Sequence, residues 1–159
     1  MRPSPFLLVR SIRSGDEEQV RKVAAGAFQG YYGHYHADPK LDPAKCDAGY
    51  VEWAVRSCTS REVASEVLVA ERDSQIIGFA TLRLNAPEEG EILLLAVIPQ
   101  AQRARIGGAL LTKALHWCHM HNTQRMIIST QIVNIAAQKV WCRVGFEPLN
   151  SYNTFHKWF

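Results

Sequence analysis

The stretch IPQAQRARIGGALL, residues 98–111, constrains the fold most, because two arginines and two glycines there join a strand pattern to a helix pattern. The preceding EGEILLLAVI is apolar on both faces toward its end and predicts a central strand. The following GGALLTKALHWCHM has apolar residues at helical spacing. Glycines weaken a helix start, so Gly107 and Gly108 indicate a loop whose backbone approaches something closely.

The rest of the chain alternates between strand and helix patterns. Strands are expected at LLVRSI, EVLVAER, QIIGFATLRL, RMIISTQ and the closing YNTFHKWF, and helices at GDEEQVRKVAAGAF, AKCDAGYVEWAVRSC and NIAAQKVWCRVGF. A turn at Asp73–Ser74 is expected to join EVLVAER to QIIGFATLRL. Asn134 and Gly145 suit the two ends of the last helix. The sequence predicts one α/β domain over residues 1–159, with a mixed, mostly antiparallel central sheet and helices on both faces.

Composition narrows the class of partner. The net charge of +3 is too small to indicate nucleic acid, and no apolar run approaches the length of a membrane span. The termini carry no targeting pattern, so we expect a cytoplasmic protein without nucleic-acid or membrane partners. The four cysteines are widely spaced, form no CxxC motif and fit reduced thiols: Cys46, Cys58, Cys118 and Cys142.

The Gly-containing turn has the character of an anion site. The first turn of a helix offers free N–H groups and the positive end of the helix dipole, and Gly107 and Gly108 let a phosphate touch the backbone. Arg103 and Arg105 add positive charge at the rim. The alternative is a tight turn with solvated arginines. The stretch is neither a P-loop nor a GxGxxG motif.

Two motifs resemble those of the GNAT superfamily of acyl-CoA N-acyltransferases. LAVIPQAQRARIGGALL matches its Gln/Arg-x-x-Gly-x-Gly/Ala loop at Gln102 and Gly107, with Arg105 where the first glycine is usual. NIAAQKVWCRVGF matches its Asn-x-x-Ala-x-x-x-Tyr-x-x-x-Gly-Phe motif from Asn134 to Phe146, with Trp141 in place of the tyrosine.

The resemblance implies the GNAT fold and acetyl-CoA as co-substrate. In that family the strand before the loop splays from its neighbour at a bulge and binds pantetheine through its backbone, while the loop cradles the pyrophosphate. The implied CoA contacts are Leu95, Ala96, Val97, Gln102, Arg103, Ala104, Arg105, Ile106, Gly107, Gly108, Ala109 and Asn134.

Glu91 is the candidate general base, because the family often uses an acidic residue near the start of this strand. Four residues separate Glu91 from Leu95, which predicts that both lie on one face of the strand. The alternative is a carboxylate that solvates the strand end. Trp141 cannot act as the family's tyrosine acid and is predicted to pack on the sheet. A good thiolate leaving group needs little acid, and Cys142, His156 or water could protonate it.

The loop GYYGHYHADP is predicted to line the acceptor site, since the family holds its acceptor in this region. Its candidate substrate contacts are Tyr32, His34, His36 and Asp38, which suit a sugar or heterocycle. The alternative is an ordered loop that packs on the sheet. The closing strand is expected beside this cleft. The histidines of HWCHMH point in different directions on a helix, so no metal site is expected.

These features predict an N-acetyltransferase that moves an acetyl group from acetyl-CoA to a primary amine of a small molecule. An amino sugar, free or nucleotide-linked, is the leading acceptor. A peptide or amino-acid N-acetyltransferase stays open, as does a homodimer. The alternative from another class is a non-catalytic acyl-CoA-binding or interaction domain with the same fold.

Overall fold

The computed structural model describes residues 6–159, and its five strands form one sheet in chain order. The strands are β1 (Leu8–Ser11), β2 (Glu66–Arg72), β3 (Gln75–Ala86), β4 (Glu89–Val97) and β5 (Arg125–Ile128). The first four are antiparallel to their neighbours, and β5 runs parallel to β4. The predicted mixed, mostly antiparallel sheet is therefore confirmed.

Helices cover both faces of this sheet, as predicted. They are α1 (Glu17–Phe28), α2 (Pro43–Thr59), α3 (Ile106–Met120) and α4 (Ile135–Arg143). The first core packs α1 and α2 on side chains that include Phe79 and Leu94, and the second packs α3 on side chains that include Leu68 and Leu82. Among residues 6–159, every helix is too short or too polar to cross a lipid bilayer.

Two local predictions are confirmed by backbone geometry. Asp73 and Ser74 join β2 to β3 with φ angles of 51° and 63°, the positive values that a two-residue hairpin turn requires. The Asn134 side chain accepts a hydrogen bond from the Ala137 N–H at 3.3 Å and so caps α4. Gly145 follows that helix with a φ of 98°, the left-handed conformation common after a helix end.

The predicted closing strand is wrong. Residues 151–159 form no strand and pair with no other strand in the described chain. The aromatic content of YNTFHKWF favours a strand, but that propensity needs a partner edge. The segment is instead attached through the side chains of His156 and Trp158, which both donate to Asp38.

A β-bulge interrupts the pairing of β3 with β4. Thr81 pairs with Leu94 while the adjacent Leu82 pairs with Ile92, so Leu93 is an extra residue on β4. A side chain of β3 contacts the bulge, because the Leu94 N–H donates to the fully buried Thr81 Oγ1 at 3.1 Å. The extra residue places Ile92 in the second core and Leu94 in the first.

Thr81→Val is expected to reduce the free energy of unfolding by about 1–3 kcal/mol, because it keeps the shape and removes the buried hydroxyl that accepts from the Leu94 N–H. Thr81→Ser, which keeps the hydroxyl, is the matched control. Urea unfolding of both variants measures the difference. Equal stability of the valine and serine variants would show that the hydroxyl does not support the bulge.

Candidate active site

Beyond the bulge, β4 has a free edge. β5 pairs with β4 only from Glu89 to Ile92, whereas β4 continues beside β3 to Val97. The Ile98 N–H donates to Ile77 O at 2.9 Å, which fixes the alternation of hydrogen bonds between β3 and β4. By that alternation, the backbone groups of Leu95 and Val97 point away from β3, toward the free edge.

The loop after β4 closes one end of this edge. Gln102 Nε2 donates to Val97 O at 3.3 Å, so the Val97 carbonyl does face outward and is bound by the loop. Ala96, by contrast, pairs with Phe79 and directs its backbone groups at β3. The predicted CoA strand contacts therefore divide: Leu95 and Val97 offer backbone groups at the free edge, and Ala96 does not.

The start of α3 presents a row of free donors. Ala109 is the first residue whose N–H finds an acceptor in this helix, Arg105 O at 3.1 Å. Within residues 6–159, the N–H groups of Ile106, Gly107 and Gly108 make no hydrogen bond. They are the orphan donors of a first helical turn, at the positive end of the helix dipole, and they favour an anion there.

The fold itself does not require glycine at positions 107 and 108. Neither residue has a positive φ angle. A Cβ on Gly107 would meet only Leu95 Cδ2, at 3.9 Å, and a Cβ on Gly108 would meet nothing within 4 Å. The glycines thus leave open space over free donors, beside the strand residue that faces the free edge.

The turn before α3 adopts an uncommon conformation. Arg103 and Arg105 have φ angles of 69° and 61°, in the left-handed region. Such a conformation costs a non-glycine residue about 1–2 kcal/mol. The positive φ of Arg105 explains why the resembling motif has glycine at this position. Ala101 and Ile106 are buried and anchor the turn at both ends.

Asn134, the remaining predicted CoA contact, is occupied within the chain. Besides accepting from the Ala137 N–H, its side chain donates through Nδ2 to Thr130 Oγ1 at 3.0 Å. Trp141, on the helix that Asn134 caps, packs against the second core, and its predicted packing role is confirmed. Asn134 thus supports the start of α4, which packs on α3.

The prediction that Glu91 and Leu95 lie on one face of β4 is wrong. Leu95 pairs with Ala80 and packs in the second core, whereas Glu91 pairs with Arg83, on the face of α1 and α2. The extra residue Leu93 reverses the alternation between them. Glu91 Oε2 also accepts from Arg83 Nη2 at 2.8 Å, so an ion pair holds this carboxylate.

The aromatic loop is tied to the first core. The ring of Tyr31 lies 5.6 Å from Tyr50 and 5.9 Å from Phe28, and Tyr50 stacks on Phe28 at 5.0 Å. Burial raises the pKa of Tyr50 to about 12, so its hydroxyl stays protonated. Tyr32 is 62% exposed and remains available for a ligand.

His36 stabilises the aromatic loop through hydrogen bonds at both of its ring nitrogens. Its Nδ1 accepts from the Gly33 N–H at 3.1 Å, which leaves the proton of a neutral ring on Nε2. That nitrogen lies 2.8 Å from Asp47 Oδ1, on α2. With both ring nitrogens bound inside the protein, His36 holds the short 3₁₀ helix His34–Ala37 in place rather than offering a group to an acceptor.

Asp38 joins the loop to the end of the chain. Its Oδ1 accepts from the Lys40 N–H at 2.9 Å. Its Oδ2 accepts from His156 Nδ1 at 2.7 Å and Trp158 Nε1 at 2.9 Å. The backbone donor at Lys40 contributes most to holding the pKa of Asp38 below its ordinary value, and the bond from His156 adds to it. No sequence pattern could have paired these residues, which lie 118 and 120 positions apart.

Two clefts flank this loop. One of about 340 Å³ is lined by His34, Ala37, Asp38, Pro39, Lys40, Thr154, His156 and Trp158. The other, of about 530 Å³, lies against α2 and includes Tyr35, Lys45 and Trp53. Lys40 lines both clefts, so they adjoin there. Within the part of the chain that the structure describes, no three His, Cys, Asp or Glu side chains are grouped to hold a metal ion.

Comparison with known proteins finds relatives that match most of this chain. The spore coat polysaccharide biosynthesis protein SpsD of Bacillus subtilis (strain 168) is 25% identical over 97% of this chain and 52% of its own length. The mycothiol acetyltransferase of Sanguibacter keddieii is 33% identical over 90% of this chain and 44% of its own. A solved aminoglycoside N-acetyltransferase, AAC(6')-Iy in complex with CoA, superposes with a TM-score of 0.73 at 15% identity, covering 99% of this chain and 98% of that chain.

The chain spans about half the length of these two sequence relatives. The model of the Acetyltransferase (GNAT) family matches residues 26–146, most of the chain, including the free edge of β4, the start of α3 and the capped start of α4. The resemblance of the two motifs is thereby confirmed. This chain belongs to the GNAT acetyltransferase family.

Proposed function

We propose that this protein transfers the acetyl group of acetyl-CoA to a primary amine of a small molecule. The observation that carries the proposal is the continuity of two sets of backbone groups. The N–H groups of Ile106–Gly108 are free, and a Cβ on Gly107 would lie 3.9 Å from the side chain of Leu95, the strand residue whose backbone groups face the free edge of β4. A ligand with an anionic end and an amide-containing arm fits this arrangement, and CoA has both.

In this proposal the pyrophosphate of CoA lies on the first turn of α3. The amides of Ile106, Gly107 and Gly108 donate to it, and the open space over both glycines admits it. Arg103 and Arg105, next to that turn, add positive charge. The pantetheine arm follows β4, where Leu95 and Val97 supply backbone hydrogen bonds.

Amide formation from a thioester requires a neutral amine, a stabilised carbonyl oxygen and a departing thiolate. Free backbone N–H groups at the β4 edge can stabilise the oxygen. A thiol with a pKa of about 8.5 leaves readily near neutral pH, so the absence of a tyrosine at Trp141 is tolerable. Glu91 is still the candidate base for deprotonation of the amine, although it does not lie on the same face of β4 as Leu95.

An amino sugar is the acceptor that we propose. Exposed Tyr32 and the groups that line the two clefts combine flat aromatic faces with hydrogen-bond donors and acceptors. The relatives named for a spore coat polysaccharide and for aminoglycosides support carbohydrate chemistry. A peptide or free amino-acid amine is the alternative acceptor.

A non-catalytic acyl-CoA-binding domain is the second candidate function. Two departures from the resembling motifs favour it, Trp141 in place of tyrosine and Arg105 in place of glycine. Such a domain would bind CoA and release no thiol.

Gly107→Ala is expected to raise the free energy of unfolding by up to about 1 kcal/mol while it weakens CoA binding, because a helix prefers alanine and the new methyl group enters the phosphate site. Calorimetry with CoA and urea unfolding measure the two effects. Gly49→Ala, in α2, where a Cβ meets nothing within 4 Å, is the matched control and should change stability alone. CoA affinity equal to wild type in Gly107→Ala would contradict the phosphate site.

We expect acetyl-CoA and amino sugars, free or nucleotide-linked, to give thiol release that depends on the amine. The measurement is a thiol assay across amino sugars, peptides, amino acids and polyamines. Turnover of peptides or polyamines alone would contradict the sugar acceptor. CoA binding without thiol release from any amine would favour the non-catalytic domain.

A further inference from the structure

The cleft of about 340 Å³ contains an imidazole held by a carboxylate. His156 Nδ1 lies 2.7 Å from Asp38 Oδ2, and the Asp38 side chain is 6% exposed. Asp38 is itself fixed by two further donors, the Lys40 N–H and Trp158 Nε1. The carboxylate is therefore saturated by the protein and serves the imidazole rather than a ligand.

The other nitrogen of this ring is free. Within residues 6–159, His156 Nε2 makes no hydrogen bond, and the side chain is 28% exposed on the wall of the cleft. Because Asp38 can only accept, it fixes the proton of a neutral ring on Nδ1 and leaves a lone pair on Nε2. An imidazole oriented in this way is suited to remove a proton near neutral pH.

We propose that His156 accepts the proton of the acceptor amine and that Asp38 is its positioning residue; this rests on the proposed acetyl transfer. The ammonium group gives one proton to His156 Nε2, and the ring becomes an imidazolium beside the Asp38 carboxylate. The neutral nitrogen then attacks the thioester carbonyl carbon. The C–N bond forms, the C–S bond breaks and CoA leaves as the thiolate. The nitrogen gives its second proton to water, and the product is a neutral amide.

The titratable groups that face His156 are its partner Asp38, a second imidazole, a phenol and an ammonium group. The ring faces His34 and Tyr35, each with its ring centroid 6.3 Å away, and Lys40 lines the same cleft. Burial lowers the pKa of His34, and the nearby His156 lowers it further. Lys40 Nζ lies 5.4 Å from the Trp158 ring centroid, a cation–π contact.

Aromatic packing connects His156 to the strand that carries the acetyl group in the proposed function. Tyr35 lies between His156 and Tyr50, with ring centroids 6.3 Å from each. Tyr50 belongs to the first core, together with Leu94 and Ala96 of β4. Tyr35 thus links His156 by aromatic contacts to Tyr50, which packs in one core with the part of β4 beyond the bulge.

Glu91 is the competing base, and its surroundings differ. Its Oε2 is already paired with Arg83, whereas His156 has an unoccupied nitrogen on a cleft. His156→Gln and Glu91→Gln are therefore the informative pair, since each removes one candidate base and keeps a polar side chain. Asp38→Asn tests the positioning role.

The experiment measures kcat/KM against pH for one amine that the wild type acetylates, so that the amine's own ionisation is common to every variant. His156→Gln is expected to lower kcat/KM by about 10²-fold or more and to remove the acidic limb that lies below the amine's own pKa. Glu91→Gln is expected to keep that limb. In Asp38→Asn the limb moves, because the imidazolium loses its counter-charge. His156→Ala is expected to regain activity when imidazole is added, and CoA affinity stays at the wild-type value in all four variants.

The outcomes separate this inference from the proposed function. An active wild type whose profile is unchanged in His156→Gln overturns the role of His156. Loss of the limb in Glu91→Gln with its retention in His156→Gln assigns the proton to Glu91. No thiol release by the wild type with any amine overturns the acetyl transfer and this role together. Reduced CoA affinity in His156→Ala without rescue by imidazole would show that the residue is structural only.

Discussion

The hydrogen bond from the Leu94 N–H to Thr81 Oγ1 supports the feature on which the site depends, the bulge at Leu93. A bulge bends its strand, and β4 leaves β5 one residue before it, at Ile92. A regular ladder would have consumed the backbone groups of Leu95 and Val97. Beyond the bulge no strand pairs with this edge, where the Val97 carbonyl accepts from Gln102 Nε2 instead, and β3 holds the other edge.

The turn between β4 and α3 also offers free backbone groups. Its free donors belong to a helix start whose two glycines are required neither by backbone conformation nor by packing. Arg103 and Arg105 carry the conformational cost of the turn, and the buried Ala101 and Ile106 hold it. Backbone groups therefore dominate this half of the site, and side-chain identity matters mainly where a side chain must be absent.

The proposed acceptor half is built differently, from side chains of distant segments. Asp38 in the aromatic loop accepts hydrogen bonds from the end of the chain. His36 and Tyr31 attach that loop to α2. The two halves meet through the first core, where Tyr50 packs in the same cluster as Leu94 and Ala96. The two clefts are lined by the aromatic loop, α2 and the end of the chain.

Sequence reasoning succeeded where local chemistry decides the structure. The Gly107–Gly108 helix start, the Asp73–Ser74 turn and the Asn134 cap each depend on residues a few positions apart. Sequence reasoning was wrong where the structure of a segment depends on a neighbouring strand. The chain end has the composition of a strand, but no strand pairs with it. Glu91 lies on the face of β4 opposite to Leu95, because the extra residue Leu93 reverses the alternation of side chains.

The pairing of Asp38 with His156 lies beyond single-sequence reasoning for a different reason. Nothing in either segment specifies the other, and the two residues lie 118 positions apart, so the contact depends on the tertiary fold. The same holds for the Leu95 backbone groups, whose outward direction follows from the register of Leu95 with Ala80 and not from the residue type.

The central claim is that the free edge of β4 and the first turn of α3 form one CoA site, and amide hydrogen exchange resolved by NMR tests it most directly. On addition of CoA, the amides of Leu95, Val97, Gly107 and Gly108 should become protected. The amide of Ala96, which β3 already binds, should change little. Protection of Ala96 without Leu95, or protection confined to residues outside β4 and α3, would contradict the account.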